Sequence, residues 1–276
     1  MNVARFTVSD LLRVMQRLRD PDTGCPWDLD QDFNSIVPST LEECYELVQA
    51  IEEGDYEHVG EELGDVLFQV VFYAQLGKEQ DLFSFDTIVS TLVEKLIRRH
   101  PHVFFQGQIE GRSAMRSSVD DVKRTWEEIK QLERNTRSQS GAMADIPLAL
   151  PALSRAQKVQ KRAAQLNFDW TDTLSVVDKL QEELDELRHA ISLQETNAIA
   201  DEIGDVLFTC VNLARHLDQD AEKSLRVATN KFEQRFRTME TLAAQSGIDL
   251  ASLDEARFDA LWREAKGDLI DNEPGL

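Results

Sequence analysis

The chain has 276 residues, 42% hydrophobic and 29% charged, with 12 Gly and 7 Pro. That length and mixture exclude a disulfide-stapled miniprotein, a collagen-like chain and a disordered one. Thirty Lys and Arg against 51 Asp and Glu leave a net charge of −21, which excludes a nucleic-acid polymer or an anionic membrane as partner but not a small anion escorted by divalent cations.

In chain order, residues 1–15 carry Arg5, Asp10 and Arg13 where a secretory leader is apolar, and no apolar run reaches the roughly 18 residues of a membrane span. A cytoplasmic, soluble protein is expected. Cys25, Cys44 and Cys210 are odd in number and lack ligand spacing, so reduced, buried and inert thiols are expected. Apolar residues at three- and four-residue spacing predict helices over 40–53, 56–77, 174–193 and 196–217. Pro38-Ser39-Thr40 ahead of Glu42 and Glu43 predicts a capping-box start. Gly54 followed by Asp55 predicts a tight turn with a new N-cap. Asn-Gly and Asp-Gly hairpin signals are missing, so the fold class is all-α, built as helical bundles.

The chain repeats itself. Residues 61–74 read EELGDVLFQVVFYA and residues 201–214 read DEIGDVLFTCVNLA, with eight of fourteen positions identical at an offset of 140. Glu42, Glu43 and Glu46 match Glu182, Glu183 and Glu186 at the same offset, while Lys95, Arg99, Trp126 and Lys130 match Lys231, Arg235, Trp262 and Lys266 at 136. A single four-residue length change accounts for both offsets. A unit this long is a duplicated domain and not a solenoid repeat. Residues 1–135 form the first domain and 151–276 the second, and the Ser-, Gly- and Pro-bearing stretch 136–150 links them.

Acidic residues recur in one geometry. Glu43 and Glu46 share a helix face, as do Glu62 and Asp65. Glu46 and Glu62 each lie eight residues from Gly54, and Glu43 and Asp65 each lie eleven away. An antiparallel helical hairpin with 1.5 Å rise per residue brings the first pair level roughly 12 Å from the turn and the second at about 16 Å. Glu183, Glu186, Glu202 and Asp205 repeat these spacings around Gln194. Any single helical Glu is more often a solvated surface residue, but that does not account for one acidic geometry appearing twice. An all-oxygen cluster suits Mg²⁺, with Mn²⁺ as substitute.

The pattern Glu-x-x-Glu, fifteen residues, Glu-x-x-Asp, present in both copies, resembles the metal-binding signature of the all-α nucleoside triphosphate pyrophosphohydrolases. The resemblance extends to Gly24-Cys25-Pro26-Trp27-Asp28, to the stretch from Arg99 through His100, Pro101 and His102 to Phe104, and to Gln160-Lys161-Arg162-Ala163-Ala164. It implies two tandem, homologous helical-bundle domains of that family's type and a homodimer. It also implies hydrolysis of a nucleoside triphosphate substrate to the monophosphate and pyrophosphate. Carried over, Glu183, Glu186, Glu202 and Asp205 hold Mg²⁺; Lys231, Arg235 and Lys266 face the phosphates; Trp262 belongs to the nucleotide pocket. The second copy is generally the catalytic one in that family. The first copy keeps equivalents of every residue, with Glu43, Glu46, Glu62 and Asp65 for metal, Lys95, Arg99 and Lys130 for phosphate, and Trp126 for the pocket. Glu42 and Glu182 stand beside the ligands as candidate proton acceptors.

Other chemistries fit less well. Glu186-Leu187-Arg188-His189 spells half of a di-iron motif, but Gln49 replaces the His in the first copy, so His189 reads as an exposed helical residue. Phosphate-binding glycine loops and the Gly-x-Ser-x-Gly elbow do not occur. The rival from another class is a non-catalytic nucleotide sensor or partner-binding scaffold with structural cations, which has no use for paired cations such as Lys231 and Arg235.

Overall fold

A computed structural model describes residues 6–111, 118–136 and 141–272. Its α-helices in chain order are α1 (Val8–Leu18), α2 (Pro26–Asp30), α3 (Val37–Glu53), α4 (Tyr56–Glu79), α5 (Phe85–Arg99), α6 (Val119–Thr136), α7 (Ala152–Ala164), α8 (Thr173–Leu193), α9 (Thr196–His216), α10 (Ala221–Gln245) and α11 (Glu255–Asn272). Among the described residues there is no β-strand, and no helix is long and apolar enough to cross a membrane. The chain separates into two compact units, Met1–Gln131 and Leu132–Leu276. Of the expected linker 136–150, residues 137–140 fall outside the described residues.

In the first unit α3 and α4 form a helical hairpin. Gly54 takes a left-handed conformation (φ 74°), its N–H donates to the Ile51 carbonyl at 3.3 Å, and the Asp55 N–H donates to the Ala50 carbonyl at 3.1 Å, satisfying carbonyls that the ending helix leaves open. Asp55 then caps α4 by accepting from the backbone N–H groups of Glu57 and His58. The other expected start is displaced. α3 begins at Val37, with Pro38 in its first turn and no side-chain cap; Pro is tolerated there because that N–H has no helical partner. Thr40 is already helical and donates its hydroxyl to the Ile36 carbonyl.

Met15, Ile36, Val71, Phe72 and Leu76 make the buried core of this unit, flanked by Leu11, Leu12, Phe33, Phe68, Tyr73 and Phe85. Each large side chain buried there contributes about 1.5–3 kcal/mol. Arg19 lies over the Phe72 ring, 5.3 Å from its centroid. Its guanidinium donates to both oxygens of Glu79 on α4 and to the carbonyls of Asp28 and Gln31. That one side chain fastens the Gly24-to-Asp28 segment and α1 to α4. Gly24 is required sterically, because a Cβ there would lie 2.4 Å from the Leu18 carbonyl oxygen.

The second unit repeats the hairpin with α8 and α9. Gln194 (φ 58°) stands where Gly54 stands in the first, and the same two bonds close the turn, to Ile191 at 3.1 Å and to Ala190 at 3.3 Å. A left-handed Gln costs about 1 kcal/mol more than a Gly. α7 packs on α9, and buried Gln160 donates to the Phe208 carbonyl at 2.8 Å. Met239, Ala243, Leu261 and Ala265 form the core between α10 and α11, with Trp262 and Phe258 against it.

All three cysteines are free, but Cys44 and Cys210 are exposed and Cys25 is half-buried, which corrects the expectation of buried thiols. Cys44 lies on α3 and Cys210 on α9.

Asp169 ties the loop before α8 to α9. It accepts from Arg215 Nη1 at 2.9 Å and also from Nη2, with His216 Nε2 at 3.1 Å. The Arg215 bonds, then the His216 bond, hold the Asp169 carboxyl below its ordinary value of 3.8. A carboxylate lowered in the folded state contributes stability that is complete above its ordinary pKa and lost as pH falls through the folded value. Asp169→Asn is therefore expected to cost roughly 1–3 kcal/mol at neutral pH. In urea titrations at several pH values the gap from the parent protein should narrow below about pH 4.

Candidate metal centre and active site

The hairpins bring glutamates together from both of their helices. Glu43 and Glu46 lie one turn apart on α3, and Glu62 faces them from α4; one carboxylate oxygen from each lies within 4.8 Å of the others. Glu183 and Glu186 on α8 and Glu202 on α9 make the same arrangement. Asp65 and Asp205, expected as fourth members, are exposed one turn further along and lie outside these groups.

Like charges this close disfavour ionisation. Burial raises the Glu43 pKa, and the charges of Asp65, Glu46, Glu62 and Glu42 raise it further. In the second group burial and a hydrogen bond that protonated Glu186 donates to Glu183 raise that of Glu186, against the lowering pull of Lys179. Both groups are therefore short of positive charge.

Each group has one basic neighbour that the motif comparison between copies passed over. In the first, His58 Nε2 lies 2.7 Å from Glu62 Oε1. In the second, Lys179 Nζ lies 3.0 Å from Glu183 and 2.7 Å from Glu182, and those two carboxylates keep its ammonium strongly in the charged form. Both stand four residues before their glutamate, a spacing that marks a shared helix face. Neither is duplicated, so the repeat does not mark them: Ala198 occupies the position of His58, and Ser39 that of Lys179.

The side chains fit a divalent cation. Glu62 is only 7% exposed, yet its Oε2 is buried with no hydrogen-bond partner, and such an oxygen is costly unless something positive meets it. The donors are all carboxylate oxygens, which favours hard cations. Beside the second group an open cleft of about 610 Å³ is lined by Glu182, Glu186, His189, Leu193, Ala198 and Glu202 among others, a size suited to a small molecule. His189 is exposed, as the sequence suggests, and borders this cleft.

The cations expected to meet phosphate lie on the later helices of each unit. Lys95 and Arg99 are on α5, and Trp126 and Lys130 on α6. Lys130 Nζ stands 4.7 Å over the Trp126 ring, and His100 packs on the same ring at 5.9 Å. Lys231 and Arg235 are one turn apart on α10, with Trp262 and Lys266 on α11. Trp262 packs 5.3 Å from Phe232, at the edge of the core. Lys231 and Lys266 are exposed and Arg235 is half-buried. Among the described residues none of these three forms an ion pair with a carboxylate of the second group.

The MazG nucleotide pyrophosphohydrolase domain matches this chain twice, over residues 31–104 and 171–239, each match spanning one carboxylate hairpin. The chain belongs to the MazG family. It is 46% identical to the nucleoside triphosphate pyrophosphohydrolase of Escherichia coli K12 over 96% of its own length and 98% of that protein. It is 42% identical to the nucleoside triphosphate pyrophosphohydrolase/pyrophosphatase MazG of Thermotoga maritima over 97% and 98% of the two chains. A protein of Bacillus subtilis named YabN and described as uncharacterized matches at 40% over 92% of this chain and 50% of its own. Each matched segment runs past its hairpin, through α5 in the first unit and into α10 in the second, and covers part of its unit.

Relief of carboxylate repulsion gives the MazG hairpins a measurable signature. Mg²⁺ at a hundred times its dissociation constant should stabilise the protein by about 2.7 kcal/mol per independent site. The readout is a higher Tm in Mg²⁺ than in a chelator, and the increase should vanish in a protein carrying both Glu62→Ala and Glu202→Ala.

Proposed function

We propose that this protein hydrolyses nucleoside triphosphates to the nucleoside monophosphate and pyrophosphate, in a Mg²⁺-dependent reaction that Mn²⁺ also supports, mainly in the second copy. The observation that carries the proposal is the glutamate group converging across the α8–α9 hairpin beside an open cleft. The identity to two named pyrophosphohydrolases over nearly the full chain supports it.

Glu183, Glu186 and Glu202, with Asp205 completing the set, would hold the cation. Bound there, the cation supplies charge neutralisation for the triphosphate and a more acidic water. Lys231, Arg235 and Lys266 are assigned to the phosphates, where their fixed charges offset the negative charge that grows on the departing pyrophosphate. Trp262 is assigned to one wall of the nucleotide pocket, its ring braced by Phe232. Lys179 neutralises Glu182 and Glu183 until a cation takes over that role. Glu182 borders the cleft and is assigned as a candidate proton acceptor, with Glu42 its first-copy counterpart.

The first copy is assigned the same parts, with Glu43, Glu46, Glu62 and Asp65 for metal, Lys95, Arg99 and Lys130 for phosphate, and Trp126 for the pocket. The domains are assigned as 1–135 and 151–276, joined through 136–150. The free thiols suit the reducing cytoplasm.

The homodimer rests on surface chemistry. Leu63, Leu67 and Val70 make an exposed stripe along α4, and their equivalents Ile203, Leu207 and Cys210 make the same stripe along α9. Apolar stripes of this kind mark association surfaces, and a two-fold interface uses one patch on both partners.

Incubation with Mg²⁺ and each common ribo- and deoxyribonucleoside triphosphate, with products separated by chromatography, is expected to yield monophosphate and pyrophosphate. Glu202→Ala should reduce turnover at least a hundredfold, about 2.7 kcal/mol of transition-state stabilisation. Diphosphate plus phosphate would refute the scissile bond, and metal-dependent nucleotide binding without turnover would replace the enzyme with a sensor. Light scattering should report a dimer, and Leu67→Lys with Leu207→Lys should weaken it; a fully active monomer would refute the assembly.

A further inference from the structure

The two copies share their glutamates but differ in what steadies them. In the second copy a first-helix cation, Lys179, pairs with a first-helix ligand, Glu183. In the first copy the steadying group comes from the other helix: His58 on α4 reaches Glu62 on α4. Ala198, the counterpart of His58, leaves Glu202 without an equivalent.

Glu62 has two oxygens in unlike states. Oε1 faces His58 Nε2 at 2.7 Å; a carboxylate only accepts, so the imidazole donates its Nε2–H. Oε2 is buried and has no partner. His58 itself does not join the group of ligand atoms lying within 4.8 Å of one another, which consists of Glu43, Glu46 and Glu62. It contacts a ligand without sharing the ligands' common space. Its backbone is fixed in the first turn of α4, where its N–H donates to the Asp55 side chain at 3.1 Å. The imidazole therefore rises from a capped helix end onto the glutamate one turn above it.

We propose that His58 is a positioning residue for the first carboxylate group: it holds Glu62 by Oε1 and leaves Oε2 as the oxygen that meets a divalent cation shared with Glu43 and Glu46. This rests on the first-copy metal site assigned above and adds to it a residue that the repeated motif does not contain. Partners that orient metal ligands by hydrogen bonding change metal affinity by about 10- to 100-fold when removed. The first copy thus carries a cation site whose affinity is set separately from that of the second.

The test uses the full chain with the second group disabled by Glu183→Ala and Glu202→Ala, and follows Mn²⁺ binding by calorimetry and by the electron paramagnetic resonance signal of the free ion. This parent is expected to bind Mn²⁺ at one site per chain. Adding His58→Ala should weaken that binding about tenfold or more, while His58→Gln, which retains an N–H donor, should recover most of it. The His58 side chain is 43% exposed, and circular dichroism will verify that helix content is kept in both variants.

Unchanged affinity in His58→Ala would overturn the positioning role and leave the first-copy metal site standing. Tighter binding would overturn it too, making His58 a cation that competes with the metal. A nitrogen coupling to Mn²⁺ in pulsed resonance that disappears in His58→Ala would make it a direct ligand and refute the proposal. A parent that binds no Mn²⁺ would overturn the first-copy site and this inference together.

Discussion

Three carboxylates held within 4.8 Å of one another repel, and a folded chain keeps them there only if stronger packing fixes both helices that carry them. The hairpin turns supply that constraint. Each closes with the same pair of backbone bonds, one onto an isoleucine (Ile51 or Ile191) and one onto a buried alanine (Ala50 or Ala190), which sets the stagger of one helix against the other. Once the stagger is set, residues eight positions from the turn on either side must meet. Burial of Val71, Phe72 and Leu76 further along α4 anchors that helix at its far end, so the repulsion at the glutamates is borne by packing elsewhere in the unit.

The motifs outside the glutamates divide between scaffold and chemistry. Gly24 turns where a side chain has no room, and Arg19 gathers the carbonyls of the segment it begins onto Glu79. Gln160 serves the backbone of α9 from beneath. Arg19 and Gln160 brace the hairpin helices through bonds to Glu79 on α4 and to the Phe208 carbonyl on α9. Their role is to keep α4 and α9 in place under electrostatic load.

Duplication preserved the carboxylates and released their neighbours. Lys179 and His58 answer the same electrostatic need from opposite helices, one as a full charge and the other as an oriented donor. A lysine on a flexible stem can leave when a divalent cation arrives, whereas an imidazole fixed one turn below its glutamate stays. The outward stripes of α4 and α9 changed less in character, since Leu63, Leu67 and Val70 became Ile203, Leu207 and Cys210. Cys210 shares that exposed stripe with Ile203 and Leu207, and its thiol is accordingly exposed and not part of a core.

Local periodicity and the repeat are enough to read the all-α class, the four hairpin helices, the Gly54 turn with its Asp55 cap, and two acidic groups, expected with four carboxylates each, of which three glutamates in each copy lie close together. These follow from chain-local rules: 3.6 residues per turn, a left-handed closing residue, and equal distances from it. α3 starts earlier than its Ser-Thr-Glu pattern suggests, because that pattern looks like a cap whether or not Pro38 has already opened the helix. The exposure of Cys44 and Cys210 was misread because composition does not say which apolar face a hairpin turns inward. Only the tertiary structure decided that Asp65 and Asp205 stand outside the tight groups, that Glu62 keeps one buried oxygen unpartnered, and that His58 and Lys179 touch the clustered glutamates. Those outcomes depend on side-chain direction and on the approach of a second helix to within a few ångströms, which a one-dimensional spacing does not contain.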